Sequence, residues 1–104
     1  MGTEAGVKLD QGKLQMSLMP QEALIGLAEV MTFGANKYTP NGWKTVPNAK
    51  QRYEDALLRH YCAYKSGEIN DPESGLSHLK HMLTNIAFLV YFEEHDDDTN
   101  KEDN

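Results

Sequence analysis

This sequence predicts an all-α fold, a small bundle of three main helices completed by oligomerisation. Three observations carry that reading. Apolar residues recur at helical spacing in three separate stretches, and β-branched residues are sparse with no sustained alternation. Pro- and Gly-rich segments separate the stretches. A chain of 104 residues makes one domain with one modest core, and core-like positions on several helix faces leave apolar surface for another chain to cover.

The opening, residues 1–12, is expected as an N-terminal arm, with Lys8-Leu9-Asp10-Gln11-Gly12-Lys13 a turn carrying two cations. A single helical domain is expected over 13–93. Its first helix starts at Pro20, a residue suited to the first helical position. It buries Ala23, Leu24, Leu27, Ala28 and Met31, and Gly34 ends it as a cap. The loop to Pro47 holds Tyr38, Pro40, Asn41, Gly42 and Trp43. A lone tryptophan there packs on the core edge or on a planar ligand. The second helix has a capping signature in Asn48 and Gln51, continues to about Lys65 and ends at Gly67. Asp71-Pro72, a cap followed by a first-turn proline, opens the third, which runs to about Glu93. Leu76, Leu79, Leu83, Ile86 and Val90 form its apolar stripe, and Ser77, Lys80, Thr84 and Tyr91 its most solvated face. Residues 94–104 read as an acidic disordered tail.

Hydrophobic residues make up 39% of the chain and charged residues 25%, the balance of a soluble globular protein. A net charge of −6 argues against general nucleic-acid binding. Seven acids lie from Glu93 onward, so the body is near neutral and small anionic ligands stay open. Cys62 is the lone cysteine, which excludes an internal disulfide and a Cys-based zinc site. With no apolar run of signal-peptide or membrane-spanning length, a cytoplasmic location is expected and no membrane partner.

The polar chemistry concentrates between Arg52 and Asn85. On the third helix His78, His81 and Asn85 fall within about 60° of one another, beside the apolar stripe rather than on the solvated face. On the second, Arg52, Asp55 and Arg59 share a face with the small Ala56 and Ala63. A structural account exists for each: Asp55 and Arg59 at i, i+4 make an ordinary ion pair, and Asp71 a helix cap. Several polar groups beside core positions are costly to keep for packing alone. Imidazoles with the carboxylates of Asp55, Glu68, Asp71 or Glu73 suit a divalent metal. Arg52 and Arg59, with Lys13 or Lys37, suit phosphate oxygens. Together they point to phosphoanhydride chemistry, with His60 or Glu68 as the base.

Ordered motifs then match a known pattern. They are Lys8-x-Asp10-x-Gly12-Lys13, Leu18-x-Pro20, Phe33-Gly34-Ala35-x-Lys37-Tyr38, Asn41-x-Trp43, Asp55-Ala56-x-x-Arg59-His60, Gly67-Glu68, Asp71-x-Glu73-Ser74-Gly75, His78-x-x-His81 and Asn85. Over roughly residues 7 to 92 the chain resembles the small, largely phage-encoded family named for dATP/dGTP diphosphohydrolases, relatives of the MazG-like all-α nucleoside triphosphate pyrophosphatases. The resemblance implies a helical bundle with a divalent-metal site, cleavage between the α and β phosphates of a nucleoside triphosphate, a homo-oligomer, and a place in the cytoplasm of an infected bacterial host. The acidic Glu-x-x-Glu pattern of MazG enzymes is absent; Glu54-Asp55 stands on the second helix and His78-x-x-His81 on the third.

Mapped onto this chain, the expected catalytic residues are Asp55, His60 and Glu68. The expected ligands of Mg, Mn or Co are Asp55, Glu73 and His78. Nucleotide binding falls to Lys13, Lys37, Asn41, Trp43, Arg52, Arg59, His81 and Asn85. The leading expectation is a metal-dependent (deoxy)purine nucleoside triphosphate pyrophosphohydrolase giving nucleoside monophosphate and pyrophosphate. Two others stand beside it: a non-catalytic protein that sequesters host-defence signalling nucleotides, and a helical interaction or assembly module.

Overall fold

Three 17-residue helices dominate a computed structural model that describes residues 11–95. They are α1 (Gln21–Lys37), α2 (Ala49–Lys65) and α3 (His78–Glu94), with 3-10 turns at Met16–Leu18 and Gly42–Thr45 ahead of the first two. The expected arm over 1–12 and acidic tail over 94–104 lie almost entirely outside the described residues. No helix among the described residues is long and apolar enough to cross a membrane.

Pro20 sits just ahead of α1 in extended conformation and accepts the Ala23 N–H. Gly34 does not end the helix. Its carbonyl accepts the Tyr38 N–H at 2.9 Å, so the helix continues one more turn to Lys37. The true stop is Thr39-Pro40, because proline pushes the residue before it out of helical conformation. Asn48 precedes α2 in the left-handed region at φ 55°, with no side-chain cap bond. It shapes the turn there instead of forming the expected capping box. At the other end of α2, the Gly67 N–H donates to the Tyr64 carbonyl and the Glu68 N–H to Ala63. This is a Schellman closure that needs Gly67 at φ 104°.

The largest departure is the start of the third helix. Asp71-Pro72 opens a turn, not a helix. The Gly75 N–H returns to the Asp71 carbonyl, the Asp71 N–H bonds to Leu76, and Asn70 pairs with Ser77 in an isolated antiparallel bridge. Gly75 at φ 76° breaks the helical path. Ser77 is the actual cap, its hydroxyl accepting the Lys80 N–H at 3.2 Å.

The middle helix is α3, packed against both others. Gly26 lets it come close to α1: a Cβ there would sit 2.9 Å from Lys80 Cγ, and Lys80 reaches across to Glu29 at 2.7 Å. That approach turns α1 so that Gly26 and Val30 are buried while Leu24 and Ala28 face out. The expected faces of α3 are likewise exchanged. His78, His81, Thr84 and Asn85 are buried, and Leu79, Ile86 and Val90 stay about half exposed at 51%, 46% and 51%. Among the described residues only Val30, Ala49 and Phe92 are buried and apolar.

Replacing Gly67 with Ala forces a side chain into a left-handed position, and should cost about 1 kcal/mol or more. The expected Tm fall is roughly 4–8 °C in thermal denaturation followed by circular dichroism, with helix content below the transition unchanged.

Candidate functional site

The turn between α2 and α3 brings the site together. The Schellman closure directs Glu68 back toward α3, where its carboxylate lies 2.7 Å from Nε2 of His78. Nδ1 of His78 is 2.8 Å from Nδ1 of His60 on α2. These contacts assign the tautomers. An ionised carboxylate only accepts, so His78 carries its proton on Nε2 and keeps a lone pair on Nδ1. Toward that lone pair His60 donates when no ion is present.

Asp71 is aimed by its own turn. Its Oδ2 accepts the Ser74 N–H at 2.9 Å and lies 3.9 Å from Nε2 of His81. Ser74 Oγ accepts the Leu76 N–H and lies 2.7 Å from the same His81 nitrogen. The His81 ring lies flat against His60, centroids 4.5 Å apart and planes 5° from parallel. Donor atoms of His60, Asp71 and His78 fall within 4.8 Å of one another.

That donor set could hold a divalent ion. Two nitrogens each ~2.1 Å from one ion sit roughly 3 Å apart at right angles, near the His60–His78 spacing. Glu68 also supplies the outer carboxylate that fixes a ligating imidazole. Two imidazoles and a carboxylate favour Mn, Co, Ni or Zn over Mg.

A cleft of about 1070 Å³ opens beside this group. Lys37, Asn41, Trp43, Arg52, Arg59, His81 and Asn85 all line it, together with His60, Asp71 and Glu73. Lys13 is exposed and does not line it. Asp55 is exposed too and faces a separate depression with Glu54, Leu89 and Glu93. Glu73 forms an ion pair with Lys37, joining the end of α1 to the turn. Of the expected ligands, His78 belongs to the converging group, beside His60 and Asp71, and Asp55 and Glu73 do not.

Trp43 packs on Phe88, centroids 4.3 Å apart and planes 8° from parallel, and meets Tyr91 edge-on. Its Nε1 is buried with no hydrogen-bond partner. The Tyr53 hydroxyl donates to the Trp43 carbonyl at 2.7 Å, and burial pushes its pKa up to about 12 against the opposing charge of Arg52. Tyr53, Thr84 and Phe88 are cleft residues that the sequence reading missed. The signal available for the aromatic pair was Phe88 and Phe92 four residues apart on one helix, with Tyr53 on the preceding helix and Trp43 in the loop before that.

Burial lowers the pKa of His60, and His81 beside it adds to the effect while Asp71 opposes it. Burial also lowers His81, with Asp71 opposing and His78 reinforcing. For Asp71, burial works upward but is outweighed by the Ser74 N–H and hydroxyl and by the histidines, so its pKa is lowered.

Above the ordinary imidazole value of 6.5 the two rings are neutral in folded and unfolded chains alike. As pH falls below it, the unfolded chain takes up protons first, and stability drops toward the depressed folded values. Asp71 contributes stability above its ordinary 3.8, lost as pH falls through its lower folded value. In chelator, Tm should therefore decline from pH 7 to pH 5, and the decline should be shallower in His81→Gln. A flat Tm over that range would refute the imidazole assignment.

With this geometry established, comparison with other proteins adds three findings. The chain is 30% identical over 86 residues to a dATP/dGTP diphosphohydrolase of Salmonella phage PMBT28, an alignment covering 83% of this chain and 29% of that protein. It thus spans less than a third of that relative's length. No solved structure matches. Residues 3–102, nearly the whole chain, match the model of the family described as dATP/dGTP diphosphohydrolase, N-terminal, and the chain belongs to that family.

Proposed function

We propose that this chain is a metal-dependent hydrolase of (deoxy)purine nucleoside triphosphates, cleaving between the α and β phosphates to release nucleoside monophosphate and pyrophosphate. The observation that carries this reading is the convergence of His60, Asp71 and His78 beside a cleft that also holds Arg52, Arg59, Lys37 and Trp43. The name of the phage relative supports the substrate class.

His60, Asp71 and His78 would hold the ion, and Glu68 would keep His78 in the ligating tautomer. Such an ion supplies positive charge against the phosphate oxygens and favours deprotonation of an attacking water. The guanidinium groups of Arg52 and Arg59, both on the cleft side of α2, orient the triphosphate by paired hydrogen bonds. Lys37 exchanges Glu73 for a phosphate oxygen when substrate enters. His81, held neutral by burial and touching Ser74, is placed to accept a proton within the cleft. The wall of Trp43 and Phe88 offers the base an aromatic edge.

Binding without turnover is the second reading. The acids lining the cleft are Asp71 and Glu73, and Glu73 is engaged by Lys37, which leaves few carboxylates for a base. Sequestration of a signalling nucleotide would use the same cations.

The deciding assay incubates the protein with each common NTP and dNTP in Mg, Mn or Co and separates the products by ion exchange. Monophosphate and pyrophosphate in equal amounts are expected, with Mn or Co above Mg. Nucleotide recovered unchanged under every condition would leave the binding reading. His60→Ala and His78→Ala should each lose at least ~100-fold in turnover and lower metal affinity in calorimetry. Glu68→Gln should weaken the metal by about 10–100-fold. Asp55→Ala should keep turnover within about 2-fold, as a surface change at a residue that does not line the cleft; a large loss there would restore Asp55 to the site.

A further inference from the structure

Ser74 belongs to the turn ahead of α3 and does not line the cleft, yet it touches two residues that do, Asp71 and His81. Its N–H donates to Oδ2 of Asp71 at 2.9 Å, and its Oγ lies 2.7 Å from Nε2 of His81. The same Oγ accepts the Leu76 N–H at 3.1 Å.

A hydroxyl has one proton and two lone pairs. Leu76 takes one lone pair, so toward His81 the hydroxyl either donates its proton or accepts one from the imidazole. Asp71 decides between the two. Its carboxylate lies 3.9 Å from the same Nε2, and the Ser74 hydroxyl is among the groups that hold its pKa low. The hydroxyl proton is therefore drawn to the carboxylate. An ionised carboxylate facing Nε2 also favours a proton over a lone pair on that nitrogen. The second lone pair of Ser74 then accepts from Nε2–H. Nδ1 of His81 has no hydrogen-bond partner among the described residues and is not itself closed off from water, and its ring lines the cleft. Stacking on His60, 5° from parallel, fixes the plane of the ring, and Ser74 fixes its direction within that plane.

We propose that Ser74 is a positioning residue: backed by Asp71, it holds the His81 proton on Nε2 and keeps the Nδ1 lone pair in the cleft as the proton acceptor of the reaction. The task given to that lone pair rests on the hydrolase reading above. The attacking water gives one proton to Nδ1, and the electron pair of the broken O–H bond enters the bond its oxygen forms to the α phosphorus. The bond from that phosphorus to the bridging oxygen breaks, and pyrophosphate leaves with its electron pair. His81 is then an imidazolium whose Nε2–H faces Ser74 Oγ and the Asp71 carboxylate, and it returns the Nδ1 proton to solvent as the products leave. Without the hydroxyl, the nearest acceptor to Nε2 is the carboxylate at 3.9 Å, beyond hydrogen-bond reach. The ring would populate both tautomers, and the Nδ1–H form offers the cleft a donor where an acceptor is required.

Heteronuclear NMR of the imidazole nitrogens tests this on the full chain, in chelator, above the ordinary imidazole value of 6.5. The His81 signals are assigned by their loss in His81→Gln. The native chain and Ser74→Thr should carry the proton on Nε2, and Ser74→Ala should show both tautomers. Ser74→Ala should also lower kcat about 10-fold or more, part of the roughly 10²–10⁴-fold that a positioned acid–base group contributes. Its KM should stay within about 3-fold, as for an interaction used in the transition state, and Ser74→Thr should restore turnover. A serine that only shapes the turn through Leu76 would change Tm and leave the tautomer alone. A native proton on Nδ1 would overturn the proposal whether or not Ser74→Ala folds. So would a tautomer or a kcat unchanged in Ser74→Ala. The Nε2 proton in a native chain without turnover would sink the hydrolase reading and leave the positioning of His81 by Ser74 standing.

Discussion

A helix whose inward face is polar must be satisfied by its neighbours, and that requirement on α3 organises the rest of the molecule. His78, His81, Thr84 and Asn85 all face inward. Thr84 and Asn85 satisfy themselves on the preceding turn of their own helix, through the carbonyls of Lys80 and His81 at 2.9 Å each. The two histidines cannot do so. They draw on Glu68, Ser74 and His60, which explains why the chain between α2 and α3 is a closed turn and not a simple linker. A buried imidazole left unpaired costs about 1–3 kcal/mol, comparable with a large part of a small domain's net stability.

The same requirement explains why the core is thin. Each inward position of α3 given to a polar group is one lost to aliphatic packing, and the aliphatic residues of that helix stand on its other side. Aromatic packing by Trp43, Tyr53, Phe88 and Phe92 fills the end of the bundle away from the histidines. The molecule is thus divided along α3, aromatic toward its C-terminal half, polar and hydrogen-bonded toward its N-terminal half.

How much of this was legible follows from the kind of signal each feature leaves. Three helices were legible because periodicity over 17 residues is a strong pattern. The cleft residues were largely legible, since Lys37, Asn41, Trp43, Arg59, His81 and Asn85 come from motif positions and Arg52 from the face it shares with Arg59, and all of them line the cleft. The turn was not. Asp71-Pro72 and Ser77 are both good helix starts, and only the left-handed Gly75 decides between them. The faces of α3 were misread for a different reason. Periodicity locates an apolar stripe but does not say whether the stripe meets its own chain, and Gly26, which sets the contact with α1, looks in sequence like a mere helix weakness. Asp55 was drawn into the site by its neighbours in sequence, although a helix sends Asp55 and His60 in different directions: five residues apart, they differ by about 140°.

Glu68 is about half exposed, while its partner His78 is only 3% exposed, and neither lines the cleft. The string from Glu68 through His78 to His60 therefore joins bulk water to the buried imidazoles from outside. The orientation of the His78 ring is thereby fixed from the outer side of the molecule, by a carboxylate that does not line the cleft, so it does not depend on what the cleft holds.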